Sequence, residues 1–403
     1  MLFKKERNAM YKALIFDFDG TVCDTGAGIK ESVRYALDAA GIQYDENEDM
    51  SFVIGPPLLI MFQEHYGVSV TDAEELVRKY REHYTNAGIF KSELYDGIEE
   101  LLIALKGEGI KLGIASSKPK QYVELLLEKF NLIKHFDSVC GVDFKVDCEP
   151  KPSIIARCIA ELGCSNEEIL VIGDRSYDIS GAEENNADSA GVLWGYGNKF
   201  EFIESGAKFI AEKPQDIEAI ALGLFEQTEA VNGIYNGRII TVHNDDVMLC
   251  NGDKANRECV DHPGGVAIIG ITDENEILLV RQFRYPYKEV IYEIPAGKVE
   301  KGEDPFETGR REFKEECGAV ADTYFSLGEI YPSPGYTSEV IRLYGATGIT
   351  FEAQELDKDE FLEVKRMKLD EIVNRIMSGE IKDAKTVAAV FKLKEKLKRN
   401  DIS

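Results

Sequence analysis

Three carboxylates, Glu312, Glu315 and Glu316, stand at i, i+3 and i+4 in a stretch from Pro305 to Cys317 whose only helix breaker is Gly309. Pro305 suits a first helical turn. On a helix this spacing sets all three acids on one face. Like charges so placed repel, so the cluster calls for a counter-charge. Hard carboxylate oxygens suit Mg2+ or Mn2+, ions that also hold waters and substrate phosphates. A merely solvated acidic face would not need the fixed surroundings found here: Gly297 ahead, Gly318 behind, and Glu303 and Arg311 at set offsets. The chemistry implied is metal-assisted attack on a phosphate.

A second set of polar residues ends a series of apolar runs. Ala13–Phe16 leads into Asp17-Phe18-Asp19-Gly20-Thr21, Lys111–Ala115 into Ser116-Ser117-Lys118-Pro119, and Ile169–Ile172 into Gly173-Asp174-Arg175-Ser176-Tyr177-Asp178. Lys151-Pro152 opens a helix reaching to about Leu162. Asp17 and Asp19 fall on one side if the extended geometry continues past the strand. Any one of these clusters alone is an ordinary polar loop. Together, in this order, they supply what phosphoryl transfer needs: an anionic nucleophile, and cations to cancel its repulsion from the phosphate.

The elements that must position these groups can be read in outline. The length of 403 residues implies two or three domains. In the first half, apolar strands separated by helices predict a parallel, doubly wound α/β sheet, with the polar clusters at the carboxyl ends where ligands bind. Gly28–Ala40 and Thr71–Tyr84 have helical spacing and lie between the first and second clusters. Ile54-Gly55-Pro56-Pro57-Leu58 reads as a rigid turn among them, and Gly191–Gly197 as a strand and glycine loop in which Trp194 packs the core. Gly223–Asn236 is expected to be the junction. Beyond it the texture turns β-rich, with strands at Arg238–Val242, Gly265–Ile271, Glu276–Gln282, Val290–Ile294, Tyr324–Ile330 and Val340–Thr347, and a last helix at Ala384–Arg399. This predicts a mixed α/β/α second domain.

Composition narrows the partners. A net charge of −26 argues against nucleic acid, which is held by Lys and Arg. It does not exclude small phosphorylated substrates. Eight cysteines with no CxxC pair argue against zinc and disulfide frameworks and fit a reducing cytoplasm. The first residues lack the apolar core of a signal peptide, and no apolar run approaches the ~20 residues that cross a bilayer.

The four clusters of the first half resemble the motifs of the haloacid dehalogenase superfamily of phosphohydrolases, over residues 10–228 with a helical cap at about 24–94. The resemblance implies Asp17 as nucleophile and Asp19 as general acid and then base. It implies Ser116 and Lys151 as phosphate ligands, and Mg2+ on Asp17, the Asp19 backbone and Asp174, supported by Asp178. Ser116 stands where Thr is also common. The cap turn, GDRSYDISGA and VLWGYG together resemble the 5′-nucleotidase-like branch, beside the phosphoglycolate phosphatase and pyrophosphatase branches.

The stretch Gly297–Ala319 resembles the Nudix box, departing only at Ala319, where a larger aliphatic is usual. Pro334, sixteen residues past Gly318, and the segments Glu293–Lys298 and Asp383–Thr386 resemble the ADP-ribose pyrophosphatase branch, over residues 233–400. This implies metals (Mg2+, or Mn2+ at this site) on Glu312, Glu315, Glu316 and the Ala296 carbonyl, with Glu316 catalytic and Glu303 orienting Arg311. It implies Glu339 on the substrate side, a base from the acidic loop Glu355–Glu360, for which Glu360 is chosen, and a homodimer. Arg281 and Arg284 either grip the diphosphate together or form surface ion pairs. The whole chain is then expected to be a bifunctional hydrolase. It would cleave ADP-ribose or a related sugar nucleotide to AMP and ribose 5-phosphate, and dephosphorylate a monoester, possibly that AMP. Competing readings are a phosphatase for an unrelated small phosphate, such as phosphoglycolate or pyrophosphate, and one half acting as an ADP-ribose-binding regulator.

Overall fold

Strand β1 (Ala13–Phe16) is buried along its whole length. Its parity divides the core: Leu14 and Phe16 join one apolar cluster, Ala13 and Ile15 another. A strand apolar on both faces belongs in a sheet that helices cover on both sides. The computed structural model describes residues 9–45, 47–143, 149–356, 358, 361–399 and 401.

From β1 the chain passes through β2 (Cys23–Asp24), α1 (Gly26–Ala40), α2 (Leu58–Tyr66), α3 (Val70–Asn86) and β3 (Glu93–Leu94). It continues through α4 (Ile98–Gly107), β4 (Lys111–Pro119), α5 (Lys120–Lys129), β5 (Ser138–Val142), α6 (Lys151–Leu162) and β6 (Ile169–Gly173). Then come α7 (Ser176–Glu184), β7 (Asp188–Val192), α8 (Lys199–Glu204), β8 (Phe209–Ala211) and α9 (Pro214–Ala221). Six strands form one parallel sheet in the order β5-β4-β1-β6-β7-β8. Ile15 lies opposite both Gly113 and Val171. The ends of β1, β4 and β6 are therefore level, and Asp17, Ser116 and Asp174 reach one edge. This is the doubly wound α/β arrangement expected from the sequence.

The helical insertion stands on a two-stranded stem, Cys23 opposite Leu94 and Asp24 opposite Glu93. Helix α1 buries Ile29, Val33, Ala36 and Leu37, the i, i+4, i+7, i+8 stripe of an amphipathic helix. Its Gly28 touches backbone: a Cβ there would lie 2.0 Å from the Gly88 carbonyl oxygen. Ser69 caps α3 by accepting from the Asp72 N–H.

The later elements are β9 (Glu226–Asn236), β10 (Thr241–Leu249), β11 (Lys254–Asp261), β12 (Gly265–Gly270), β13 (Glu276–Arg284), β14 (Glu289–Glu293) and β15 (Ala296–Lys298). After them come α10 (Pro305–Cys317), β16 (Ala319–Ile330), β17 (Ile341–Phe351), β18 (Leu362–Lys368), α11 (Leu369–Met377) and α12 (Ala384–Arg399). Two sheets, β15-β12-β17-β16 and β14-β13-β18, share a core of residues such as Ile269, Ile277, Leu279 and Leu343. Helix α10 buries Phe313 with Ile268 and Val280, and α12 buries Ala389, Val390 and Leu393. Each of these fully buried Val, Leu, Ile and Phe side chains stabilises the fold by roughly 1.5–3 kcal/mol.

The chain divides into two compact units: one runs to Gln227 and includes Met248–Asp253, the other comprises Thr228–Val247 and the chain from Lys254 on. The stretch expected as a junction is largely strand β9, in a three-stranded sheet β11-β10-β9. β10 extends well past the expected Val242, and β11 was not anticipated. β9 shows no apolar alternation because it is exposed along nearly its whole length. A local signal was present: Asn251-Gly252 is a hairpin dipeptide, and Gly252 takes φ +85°. Among the described residues no helix is long and apolar enough to cross a membrane.

Candidate active sites

In the first unit, Lys151 is the first residue of α6 and is buried. Its Nζ lies 2.8 Å from Asp17 Oδ1 and 2.6 Å from Asp178 Oδ1. Asp17, Asp174 and Asp178 each bring a carboxylate oxygen within 4.8 Å of the others. The loop after β7 closes on this group. The Tyr196 N–H donates to Asp174 Oδ2 at 2.9 Å, and a Cβ on Gly195 would lie 2.3 Å from the Gly20 carbonyl oxygen. Trp194, expected as core packing, is half-buried and donates from Nε1 to the Thr21 carbonyl at 3.0 Å.

Burial pushes the Asp17 carboxyl up to about 6, against the pull of Lys151. Burial, with the charges of Asp178 and Asp17, holds Asp174 well above the carboxylate range. Burial works against the Lys151 ammonium, but Asp17 and Asp178 outweigh it and raise its pKa. The group thus carries more negative charge than its one lysine offsets. Asp174 Oδ1 is also buried without a hydrogen-bond partner. A divalent cation fits this donor set: hard oxygens, converging and under-compensated.

Asp19 is held differently. Its carboxylate accepts from Thr25 Oγ1 at 2.6 Å and from Lys118 Nζ at 2.8 and 3.1 Å. Lys118 was missed as a site residue. The signal was parity, since Ser116 and Lys118 are two apart on β4 and share a face. A cavity of about 530 Å³ takes in Asp17, Asp19, Ser116 and Lys118. Much of its remaining wall is apolar or aromatic, including Val53, Pro56, Leu58, Tyr80, Tyr84 and Tyr122. Arg175, in the loop after β6, donates to the Ile54 carbonyl at 2.8 Å, which ties the cap turn to the loop bearing Asp174.

In the second unit, Asp304 caps α10 by accepting from the Phe306 and Glu307 N–H groups, and Gly318 ends it at φ +58°. Glu316 is buried and accepts from the Ala296 N–H at 3.0 Å. A Cβ on Gly297 would lie 2.1 Å from Glu312, so a larger residue there would displace the Glu312 side chain. Arg311 binds Glu303 at 3.2 Å, Glu312 at 2.9 Å and Glu315 at 2.8 Å. One guanidinium thus sits among three acids and offsets their repulsion. Arg311 takes Glu312 and Glu315 while Glu316 turns to the Ala296 N–H, and among the described residues these three do not converge within 4.8 Å as Asp17, Asp174 and Asp178 do.

Arg281 and Arg284 do not form a joint grip. They are three apart on β13 and leave opposite faces. Arg281 lies over the Tyr292 ring and 3.6 Å from Glu363. Arg284 is held by both oxygens of Glu293, at 2.6 and 2.7 Å. Buried Glu293 also pairs with Lys385, which binds Asp383 at 2.9 Å. Asp383 in turn accepts from Thr386 Oγ1, which accepts from the Ile294 N–H at 2.8 Å. This network pins the start of α12 beside the Ala296 loop, and it uses Arg284, expected on the substrate, as an ion-pair partner of Glu293. Glu339 lies 3.5 Å from His262. Glu360 lies outside the described residues.

Residues 14–192 match the family model for haloacid dehalogenase-like hydrolases, and residues 261–390 the NUDIX domain. An ADP-ribose pyrophosphatase of Bacillus subtilis is 42% identical over 178 residues, 43% of this chain and 96% of that protein. A 5′-nucleotidase of Pseudomonas aeruginosa is 36% identical over 191 residues, 47% of this chain and 86% of that protein. Among solved structures, a predicted phosphatase from Clostridium acetobutylicum is 34% identical, with a TM-score of 0.50 over 52% of this chain and 97% of that one.

Proposed function

The chain belongs both to the haloacid dehalogenase-like hydrolases and to the Nudix hydrolases, and from that premise we propose that its two sites act in sequence on one nucleotide. The second unit would cleave ADP-ribose to AMP and ribose 5-phosphate, and the first would take the phosphate from AMP. The observation that carries the second step is the cavity. Its size falls in the range of small-molecule sites, and Tyr80, Tyr84 and Tyr122 line it together with Val53, Pro56 and Leu58. Phosphoglycolate or pyrophosphate would leave the apolar wall of this cavity unused, whereas the base and ribose of a nucleotide would pack against it. The similarity to an ADP-ribose pyrophosphatase and to a 5′-nucleotidase points the same way.

In the first unit Asp17 would attack phosphorus, forming an aspartyl-phosphate as the bond to the leaving oxygen breaks. Asp19 protonates that oxygen, then takes a proton from the water that frees Asp17. Ser116 and Lys151 hold the phosphoryl oxygens. Mg2+ on Asp17, Asp174, Asp178 and the Asp19 backbone would supply the missing positive charge. In the second unit Glu312, Glu315 and Glu316, with the Ala296 carbonyl, would hold Mg2+ or Mn2+ beside the diphosphate. Glu339 would lie on the substrate side, and Glu360 would serve as base. Strand β9 leaves Val231, Ile234 and Tyr235 more than half exposed. Such an edge invites a second strand, which supports a homodimer. A cytoplasmic location suits these substrates.

The test is a time course with ADP-ribose and Mg2+, resolving AMP, ribose 5-phosphate, adenosine and phosphate. AMP that rises and then falls as adenosine appears is the expected result. AMP that accumulates unchanged sinks the pairing and leaves the first unit to another monoester. Tight binding of ADP-ribose without cleavage would make the second unit a sensor instead.

A further inference from the structure

Away from both hydrolase sites, the β10–β11 hairpin gathers a different set of donors. His243 and Asp245 are two apart on β10, and Cys259 and Asp261 are two apart on β11. Alternation sends each pair to a single face of its strand, and the strands are hydrogen-bonded neighbours. One nitrogen of His243, one oxygen of Asp245 and the Cys259 sulfur all lie within 4.8 Å of one another. Asp261 closes the group, 3.3 Å from His243 Nε2, while Nδ1 lies 2.6 Å from Asp245.

We propose that His243, Asp245 and Cys259, with Asp261 orienting the imidazole from its other nitrogen, form a zinc site that ties β10 to β11. The donor chemistry selects the ion. A thiolate and an imidazole with carboxylates suit zinc or another borderline transition ion, not Mg2+. Acidity alone does not account for the cluster. With five histidines and eight cysteines in 403 residues, a His and a Cys meeting two Asp is not what a generally acidic surface provides. Each ring nitrogen faces a carboxylate, so whichever binds the ion, the other is oriented as metal-bound imidazoles usually are. A cation would hold such donors about 3.3 Å apart, so the His243–Asp245 pair needs to open by less than an ångström. Asp245 is nearly buried and the Asp261 side chain is 61% exposed, which leaves the ion a way in from solvent. Binding expels the Cys259 thiol proton to water and takes His243 as the neutral ring. One imidazole nitrogen, one carboxylate and the Cys259 thiolate make three protein donors, which leaves a fourth position for water.

The experiment uses the full chain, stripped with chelator and titrated with Co2+. One equivalent should produce a thiolate-to-cobalt charge-transfer band, which Zn2+ displaces and excess Mg2+ does not. Cys23 and Cys317 lie next to hydrolase-site acids, so the band is assigned by its loss in Cys259→Ser. His243→Asn keeps the thiol and should weaken Co2+ binding tenfold or more, with far-ultraviolet circular dichroism confirming the fold of both variants. A wild-type protein without the band, a band at full strength in Cys259→Ser, or unchanged affinity in folded His243→Asn would overturn the site.

Discussion

Lys118 sets its ammonium 2.8 Å from one carboxylate oxygen of Asp19 and 3.1 Å from the other, and 4.7 Å from the centre of the Tyr84 ring. The pair joins the end of β4 to the loop after β1, and through Tyr84 it meets the cap. Removing the cation leaves the Asp19 carboxylate facing a phosphate dianion with only Thr25 to hold it. Lys118→Met should therefore lower kcat/KM for the phosphomonoester about a hundredfold, the low end of what a positioned acid–base group contributes. ADP-ribose cleavage should be unchanged. Monoester turnover within twofold of wild type would show that Lys118 does not serve Asp19.

Arg175 makes a separate prediction about the cap. Its bond to the Ile54 carbonyl spans 121 positions of sequence and holds the Ile54–Pro57 turn over the phosphate loop. A hydrogen bond from a charged donor contributes roughly 1.5–3 kcal/mol. Arg175→Ala should raise KM about tenfold with a smaller change in kcat, and speed amide exchange in residues 50–66. Unaltered exchange there would mean that the cap closes without this bond.

The contrast between what the sequence disclosed and what it hid has a physical cause. Helix α10 was legible to its ends because Pro305 and Gly318 are local signals. The spacing of Glu312, Glu315 and Glu316 is local too, whereas Asp17 and Asp174 stand far apart in sequence and were joined only by the resemblance of their motifs. Lys118 and Asp19 are 99 positions apart, and Lys385 and Glu293 are 92 apart. No periodicity reveals a partner at that range. The Arg281 and Arg284 pairing failed on parity, which three-residue spacing on a strand already forbids. β9 failed because an exposed strand carries no apolar alternation.

Glu293 gives a pH dependence with a definite sign. Burial acts to raise its carboxyl, but Arg284 and Lys385 outweigh burial and hold it below the usual range. A depressed carboxylate stabilises the fold above its unfolded pKa, about 4.3, and that stability is lost as pH falls through the folded value. Glu293→Gln should cost roughly 3 kcal/mol at pH 7, the low end for breaking a buried pair because Arg284 is partly exposed. The cost should shrink below about pH 4. Hydrogen exchange in peptides covering 284–294 and 384–393 reads this locally, and a wild-type–variant difference constant from pH 7 to 3 would refute it.

The two-site reading makes its sharpest prediction through a pair of isosteric changes. Asp17→Asn removes the nucleophile but keeps its shape, so monoester hydrolysis should be lost while ADP-ribose cleavage persists. Glu316→Gln keeps an acceptor for the Ala296 N–H but weakens the metal site. It should cut ADP-ribose cleavage about a hundredfold, the upper end of what even outer-shell changes cost at metal sites, and leave monoester hydrolysis intact. Chelation should silence both activities, because each site gathers carboxylates in excess of its cations. Either variant abolishing both activities in a folded protein would mean that one site performs both reactions. In the consecutive scheme, Asp17→Asn alone should turn ADP-ribose into a standing pool of AMP, and adenosine appearing from that variant would place the nucleotidase step outside Asp17.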